Sequence, residues 1–132
     1  MRILRGAPVT WNAGTPTALA VGVFDGVHIG HRHVLRLLVE AAENDGLKPA
    51  VLTFDPHPLA LVKPEWAPRM LTTIDQRIAQ LASAGVELVA VMTFDDSIRH
   101  MAAESFVSDI LADSLCAKFV VAGQDFRYGE DR

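Results

Sequence analysis

The stretch Gly22–His31 reads G-V-F-D-G-V-H-I-G-H and decides the fold, because it joins an apolar run to an amphipathic run through glycines. The run before it, Ala18–Phe24, becomes β-branched and aromatic toward its end and predicts a buried strand of a parallel sheet. The run after it predicts a helix over His31–Asn44, with Gly46 at the position of a left-handed C-terminal cap. A strand that turns through glycines into a helix leaves the first helical N–H groups unpaired, so this turn is a candidate phosphate site.

Two histidines, His28 and His31, supply the positive charge that a phosphate would need in this turn. The glycine spacing matches neither of the two common phosphate-loop patterns, and the turn contains no lysine. A helix that begins near Ile29 or Gly30 puts the two rings about one turn apart and on the same side. Imidazoles placed there would stabilise negative charge on a departing pyrophosphate by roughly 3–4 kcal/mol for each well-placed donor. The glycine between them lets a nucleotide approach the backbone closely.

The H-x-G-H pattern resembles that of a superfamily of nucleotidylyltransferases. The longer string resembles the FMN adenylyltransferase (FAD synthetase) module of bacterial riboflavin kinase/FAD synthetase proteins. Two more segments are similar to signatures of that family: Thr53–Pro58 reads T-F-D-P-H-P, and Gly123–Gly129 reads G-Q-D-F-R-Y-G. A shorter match, Leu71–Thr73, lies at the start of a predicted helix. The matches run in order from residue 18 to residue 129, so the resemblance covers most of the chain.

This resemblance implies transfer of AMP from ATP to FMN, which gives FAD and pyrophosphate, with Mg²⁺ on the ATP phosphates. It implies that His28 and His31 are the catalytic residues. The residues implied for nucleotide binding are Gly22, Phe24, Asp25, Gly26 and Gly30. The residues implied for the flavin end are Pro56, His57 and Pro58 in a flap, together with Gly123, Asp125, Phe126, Arg127 and Tyr128.

Some of these residues also have structural explanations. Asp25 caps a turn as readily as it contacts substrate or magnesium, and Phe24 is expected in the core at a strand end, as is Phe54. His33 points about 200° away from His31 around the helix and is predicted to be solvated or packed. The same divergence disfavours a zinc site formed by His28, His31 and His33, because the three side chains would have to converge on one ion. The apolar helix positions predicted to be core are Ile78, Leu81, Phe106, Val107, Ile110 and Leu111.

Strands and helices alternate along the chain, which predicts an α/β fold with a doubly wound parallel sheet of the Rossmann-like, nucleotidylyltransferase type. The amino terminus is predicted to be irregular. The predicted strands are Ala18–Phe24, Ala50–Phe54, Leu88–Phe94 and Phe119–Ala122, and the predicted helices are His31–Asn44, Ile74–Ala84 and Glu104–Leu115. Thr73 and Gln76 stand at capping-box spacing before the second helix, and Gly85 follows its end. The loop between residues 55 and 70 holds four prolines and is predicted to be a semi-rigid flap at the ligand-binding edge.

Composition limits the kinds of protein this chain can be. Its 132 residues, half of them apolar, are enough for one domain with a single core. A net charge of −4 argues against nucleic acid as the main partner. The single Cys116 excludes an intrachain disulfide and favours the cytoplasm. No apolar run approaches the roughly 18 residues of a membrane helix, and the first residues do not resemble a signal peptide.

We expect residues 1–132 to form an FMN adenylyltransferase domain that is incomplete at its carboxyl end. The resemblance implies that a further strand, a Ser/Thr-rich segment with an arginine and a riboflavin kinase domain should follow, and this sequence contains none of them. It is therefore a fragment, a chain with an omitted continuation or a shortened paralogue. Two other functions stay open. One is another H-x-G-H transferase that uses CTP or a different phosphorylated acceptor, against which Thr53–Pro58 argues. The other is a nucleotide- or flavin-binding remnant without turnover.

Overall fold

The computed structural model describes residues 1–25, 29–55, 65, 72–93 and 100–122. Within these ranges, parallel strands form one sheet, composed of β1 (Arg2–Leu4), β2 (Thr17–Val21), β3 (Lys48–Phe54), β4 (Leu88–Met92) and β5 (Ala117–Ala122). The longer helices are α1 (Ile29–Asp45) and α2 (Ile74–Ser83). A short α3 (Ala103–Ser105) continues into a π-helix over Phe106–Ser114, and a 3₁₀ turn covers Pro8–Thr10. The predicted α/β class is confirmed, because these helices lie on both faces of a parallel sheet.

The strands are ordered β1-β4-β3-β2-β5 across the sheet. From β2 the chain builds β3 and β4 on one side and later adds β5 on the other side, so the strand order reverses between β2 and β5. Open sheets of this kind bind ligands beyond the carboxyl ends of the strands at such a reversal. The register pairs Val21 of β2 with Leu52 of β3 and with Ala122 of β5. The carboxyl ends of these three strands therefore lie side by side.

Alternate strand residues face two different apolar layers, and both layers are buried. Helices α1 and α2 cover the face formed by small and β-branched residues, which are Ala18, Ala20, Val51, Val89 and Val91. Trp11 and the π-helix cover the other face, which carries the larger residues Leu19, Val21, Leu52, Phe54, Leu88 and Met92. Burial on both faces explains why the strands read as nearly continuous apolar runs. In the described ranges, no helix is long and apolar enough to cross a membrane.

Local sequence accounts for the ends of the two longer helices. At the end of α1, Gly46 has a left-handed backbone with φ of +67°, and the N–H of Leu47 donates to the carbonyl of Ala42 at 2.8 Å. This is the 6→1 hydrogen bond of a Schellman motif. At the start of α2, the Thr73 hydroxyl accepts from the N–H of Gln76, and the Gln76 side chain accepts from the N–H of Thr73. Both the predicted glycine cap and the predicted capping box are confirmed.

The prediction of an irregular amino terminus is wrong. Arg2–Leu4 forms β1, which pairs in parallel with Leu88–Ala90 of β4. The guanidinium of Arg2 also donates to the carbonyl of Ala13 at 2.7 Å. Three residues are too short a run to show alternation, so only the partner strand identifies this segment as a strand.

Two further predictions need correction. Val107, predicted to be core, is 54% exposed. The wider winding of the π-helix, marked by the bond from Leu115 N–H to the Ile110 carbonyl, changes which residues share a face. The predicted strand Ala18–Phe24 ends earlier, at Val21, because the chain turns sharply before the buried ring of Phe24.

Candidate functional site

The candidate site lies where β2, β3 and β5 end. The segment that begins with Gly22 follows β2, the segment that begins with Asp55 follows β3, and the segment that begins with Gly123 follows β5. These are the three segments that carry the sequence signatures. The strand ends that they follow are neighbours because β2 lies between β3 and β5 in the sheet. Three segments that are far apart in sequence thus leave the same edge of the sheet, at the reversal of strand order.

The turn after β2 is tightly packed and strained. The N–H of Gly22 donates to the carbonyl of Leu52 at 3.0 Å, which extends the pairing of β2 with β3 by one residue. A Cβ atom on Gly22 would lie 3.1 Å from the ring of Phe24, so the ring covers this glycine closely. Phe24 is 3% exposed and has a left-handed backbone with φ of +57°. That conformation costs an L-residue about 1–2 kcal/mol, so neighbouring contacts must hold it.

Hydrogen bonds hold the chain on both sides of Phe24. Before it, the carbonyl of Val23 accepts from the hydroxyl of Thr53 at 2.7 Å. After it, Oδ1 of Asp25 accepts from both the N–H and the hydroxyl of Thr72, at 2.9 and 2.7 Å. The turn is therefore tied to the end of β3 and to the residue just before the N-cap of α2. Asp25 therefore has a structural role, as the acceptor of two hydrogen bonds from Thr72. Its contact with a nucleotide stays a prediction.

Arg77 of α2 is buried behind this turn, and the sequence analysis did not identify it. Its side chain is 1% exposed, and Nη1 donates to the Thr53 hydroxyl at 3.1 Å and to the Phe54 carbonyl at 2.8 Å. Burial lowers the pKa of the Arg77 guanidinium, and the negative charges of Asp25 and Asp55 act in the opposite direction. A charged group is thus held inside the protein directly below the candidate site.

The sequence does contain a signal for Arg77. It lies three residues after Ile74 and four before Leu81, which puts it among the apolar positions of α2. A single charged residue inside an apolar stripe is unexpected on a solvated face and therefore indicates a buried polar partner. In this protein, that partner is the end of β3.

His31 is the histidine of the predicted pair whose position the structure describes. It lies in the first turn of α1, which begins at Ile29, two residues before the predicted start at His31. Its ring meets the ring of Phe24 edge to face, with centroids 5.0 Å apart and planes at 61°. His33, two residues on, is exposed and lies 3.4 Å from the guanidinium of Arg36. The two rings therefore have different surroundings, as the helical spacing predicts.

The other predicted site residues fall outside the described residues. They are Gly26 and His28 in the turn, Pro56, His57 and Pro58 in the proline-rich loop, and Gly123, Asp125, Phe126, Arg127 and Tyr128 after β5. For Gly30, the structure describes the backbone within α1. Across the described parts of the chain, no group of three or more His, Cys, Asp or Glu side chains could hold a metal ion.

The fold and this edge define a class: a doubly wound, Rossmann-like α/β protein with a strained turn and a histidine at the point where strand order reverses. Sequence comparison identifies the family within this class. The model of the FAD synthetase family matches residues 12–132, and the chain belongs to that family.

Curated relatives agree with this assignment. The chain is 31% identical over its whole length to a bifunctional riboflavin kinase/FMN adenylyltransferase of Buchnera aphidicola subsp. Schizaphis graminum and covers 42% of that protein. It is 40% identical to the protein of the same name in Escherichia coli K12, over 86% of this chain and 36% of that protein. A relative of the same name in Listeria monocytogenes is 35% identical over 93% of this chain and 40% of that protein. The chain therefore spans less than half the length of these relatives.

Among solved structures, one described as a macrolide-efflux protein from Streptococcus pneumoniae has the same fold. It superposes with a TM-score of 0.87 over 99% of this chain and 44% of that chain, at 24% sequence identity. At this identity the likeness concerns the fold alone.

Proposed function

We propose that this chain transfers AMP from ATP to FMN, giving FAD and pyrophosphate. Membership of the FAD synthetase family supports the proposal, as do the names of the relatives, which include FMN adenylyltransferase. The observation that carries it is the arrangement of β3, β2 and β5, whose carboxyl ends lie side by side, since one signature segment begins at or directly after each of these ends. Two substrates that must meet head to head need such a shared edge, because reaction depends on holding the two phosphates close and in line.

In the proposed reaction, a phosphate oxygen of FMN attacks the α-phosphorus of ATP. A new bond forms between that oxygen and the α-phosphorus, and the bond from the α-phosphorus to the oxygen that bridges to the β-phosphate breaks. Pyrophosphate leaves with the bonding pair. The attacking oxygen is already anionic, so no protein nucleophile is needed, and the protein contributes position and electrostatic stabilisation.

The turn after β2 supplies the groups for the leaving pyrophosphate. His31 lies at the amino end of α1, where unpaired N–H groups and the helix dipole favour negative charge. We assign His31 and His28 to the pyrophosphate, and Gly22, Phe24, Asp25, Gly26 and Gly30 to the nucleotide. We assign the flavin end to Pro56, His57 and Pro58, together with Gly123, Asp125, Phe126, Arg127 and Tyr128.

Mg²⁺ enters this proposal as part of the ATP complex. The negative charges of Asp25 and Asp55 act on the buried Arg77, and Oδ1 of Asp25 accepts two hydrogen bonds from Thr72. We therefore assign the ion to oxygens of the ATP phosphates, which are hard ligands that suit it. Bound there, Mg²⁺ would neutralise part of the charge on the phosphates.

The proposal extends to the natural setting of the chain. We propose that residues 1–132 form part of an FMN adenylyltransferase domain, which in the relatives belongs to a protein that is also named a riboflavin kinase. The small-molecule partners would be ATP and FMN, and the net charge of −4 supports small molecules over nucleic acid. The single Cys116 supports a reducing compartment, the cytoplasm.

The test is incubation of the chain with ATP, Mg²⁺ and FMN, followed by chromatography for FAD and an assay for pyrophosphate. We expect the two products in equal amounts, and no product with riboflavin in place of FMN, because riboflavin lacks the attacking phosphate. Consumption of CTP in place of ATP would instead identify a different nucleotidylyltransferase. Binding of FMN without product would identify a flavin-binding remnant.

A further inference from the structure

The hydroxyl of Thr53 links a buried charge to the strained turn. It accepts a hydrogen bond from Nη1 of Arg77 at 3.1 Å and donates one to the carbonyl of Val23 at 2.7 Å. A hydroxyl that accepts from a charged donor is polarised and becomes a better donor itself. Thr53 is 0% exposed, so solvent does not compete for either bond. The guanidinium of Arg77 thus strengthens the bond that fixes the peptide just before Phe24.

The other anchor of the turn leads to the same helix. Asp25 is held by Thr72, and Thr72 directly precedes Thr73, the N-cap of α2. Arg77 lies in α2, one turn further on. Both sides of the left-handed Phe24 are therefore tied to one helix, through Thr53 on one side and Thr72 on the other.

Phe24 in turn contacts His31. The centroids of the two rings are 5.0 Å apart, in an edge-to-face arrangement. Because the backbone of Phe24 is held in the left-handed region, the direction of its ring is set by the turn rather than by an ordinary strand or helix. A small relaxation of the turn would therefore move the ring that lies against the imidazole.

We propose that Arg77 and Thr53 are positioning residues that hold the turn from Val23 to Asp25, so that Phe24 sets the orientation of the His31 imidazole. This proposal rests on the proposed function in one respect: His31 is taken to act on the substrate phosphates. Neither Arg77 nor Thr53 touches substrate, since they are 1% and 0% exposed.

The hydrogen bonds of Arg77 show which property of its side chain matters. Among the described residues, Nη1 makes both bonds to the end of β3, while Nε has no hydrogen-bond partner. The planar fork that distinguishes arginine from lysine is therefore not used for paired acceptors here. Both bonds come from one charged nitrogen, which a lysine ammonium can also supply. A lysine at this position should therefore retain the function, whereas methionine, of similar length and without charge, should lose it.

The test uses two matched pairs of variants, Thr53→Val with Thr53→Ser, and Arg77→Met with Arg77→Lys. The first member of each pair removes the relevant bond, and the second keeps it. The primary measurement is the ¹⁵N NMR signals of the histidine rings in the chain without substrate. We expect Thr53→Val and Arg77→Met to shift the His31 ring signals, and Thr53→Ser and Arg77→Lys to leave them nearly unchanged. The exposed His33 is the internal reference and should not shift in any variant.

The second measurement is kinetic and uses a double-mutant cycle. We expect Thr53→Val to lower kcat about tenfold while KM for ATP and FMN stays nearly constant, because small displacements of a catalytic group reduce reactivity more than binding. In a His31→Ala background, Thr53→Val should cost nothing further, because the residue through which it acts is gone.

Two results would overturn the proposal: unchanged His31 signals in Thr53→Val, or the same loss of kcat from Thr53→Val with and without His31. If Arg77→Met does not fold, the comparison of Thr53→Val with Thr53→Ser still tests the proposal. If the chain makes no FAD, the proposed function fails, but the NMR comparison still shows whether the buried pair orients the ring.

Discussion

Phe24 and Cys116 are the two described residues other than glycine whose backbone is left-handed, with φ of +57° and +53°. Cys116 follows Leu115, the C-cap of the π-helix, whose N–H donates to the Ile110 carbonyl. A left-handed residue at this position is a common way for a helix to end, although glycine usually takes it. Phe24 instead lies in the turn after β2, beyond the end of a strand.

The two residues differ in what they contact. Cys116 follows the end of the π-helix, and Thr17 of β2 donates its N–H to the Cys116 carbonyl at 3.0 Å and its hydroxyl to the Leu115 carbonyl at 2.8 Å. The conformation of Phe24 depends on Thr53 and Thr72, which bond to the residues on either side of it. Both strained residues are therefore held by partners distant in sequence, but only Phe24 has a ring contact with His31. Substitutions at Cys116 should change stability alone, and substitutions at Phe24 should change both stability and activity.

The largest effect is expected from Phe24→Gly. Loss of the buried ring costs about 3–5 kcal/mol, and relief of the left-handed backbone returns about 1–2 kcal/mol. We therefore expect the free energy of unfolding to fall by about 1–4 kcal/mol, measured by chemical denaturation. Phe24→Ala should be less stable than Phe24→Gly, because alanine keeps the strain. Equal stability of the two variants would mean that Phe24 is not strained, and the comparison with Cys116 would fail.

The next largest effect is on activity. We expect His28→Ala to slow adenylyl transfer by roughly 10²-fold or more, with the fold intact by circular dichroism, because a donor to the leaving pyrophosphate is lost. His33→Ala is the matched control, since it removes the same side chain from an exposed position, and its turnover should be unchanged. A His28→Ala variant with full activity would remove this residue from the proposed mechanism.

A smaller effect is expected at the end of α1, where glycine already takes the left-handed position. A Cβ on Gly46 would meet no atom within 4 Å, so Gly46→Ala should cost only the free energy of placing alanine in the left-handed region. We expect a loss of about 1 kcal/mol in the free energy of unfolding. Thermal unfolding with unchanged FAD formation below the transition would check it. A much larger loss would show that the cost of a left-handed backbone is underestimated at Gly46, and therefore also at Phe24 and Cys116.

The smallest net effect is expected from Cys116→Gly. Relief of the left-handed backbone strain offsets the loss of a half-buried side chain, so the free energy of unfolding should change by no more than about 1 kcal/mol. Cys116→Ala, which keeps the strain, should be the less stable of the two variants. Both should retain full activity, and a loss of activity in either would contradict the separation of the two strained sites.

Several features could be predicted because their hydrogen bonds join residues close in sequence. The capping box joins Thr73 to Gln76, and Gly46 ends α1 within the same turn. The α/β class followed from alternating apolar runs of strand and helix length. The helix over His31–Asn44 was predicted from its apolar stripe and its glycine cap, and α1 extends this range at both ends, to Ile29 and Asp45. The spacing of residue types alone carries each of these signals.

Other features could not be predicted, because their partners are distant in sequence. β1 is a strand only because β4 lies beside it. Arg77 is 24 residues from Thr53, and Thr72 is 47 residues from Asp25, so nothing local connects them. The exposure of Val107 depends on π winding, which the apolar pattern of that segment does not reveal.

The sequence by itself determined the parallel α/β class, the ends of the two longer helices and the glycine turn with its histidines. Each of these depends on residues within one or two turns of one another. Only the tertiary structure decided that the strained turn is held from α2 and that its ring lies against His31. The order of the strands brings residues 25, 53 and 72 together, and that order results from packing of the whole sheet rather than from any short segment.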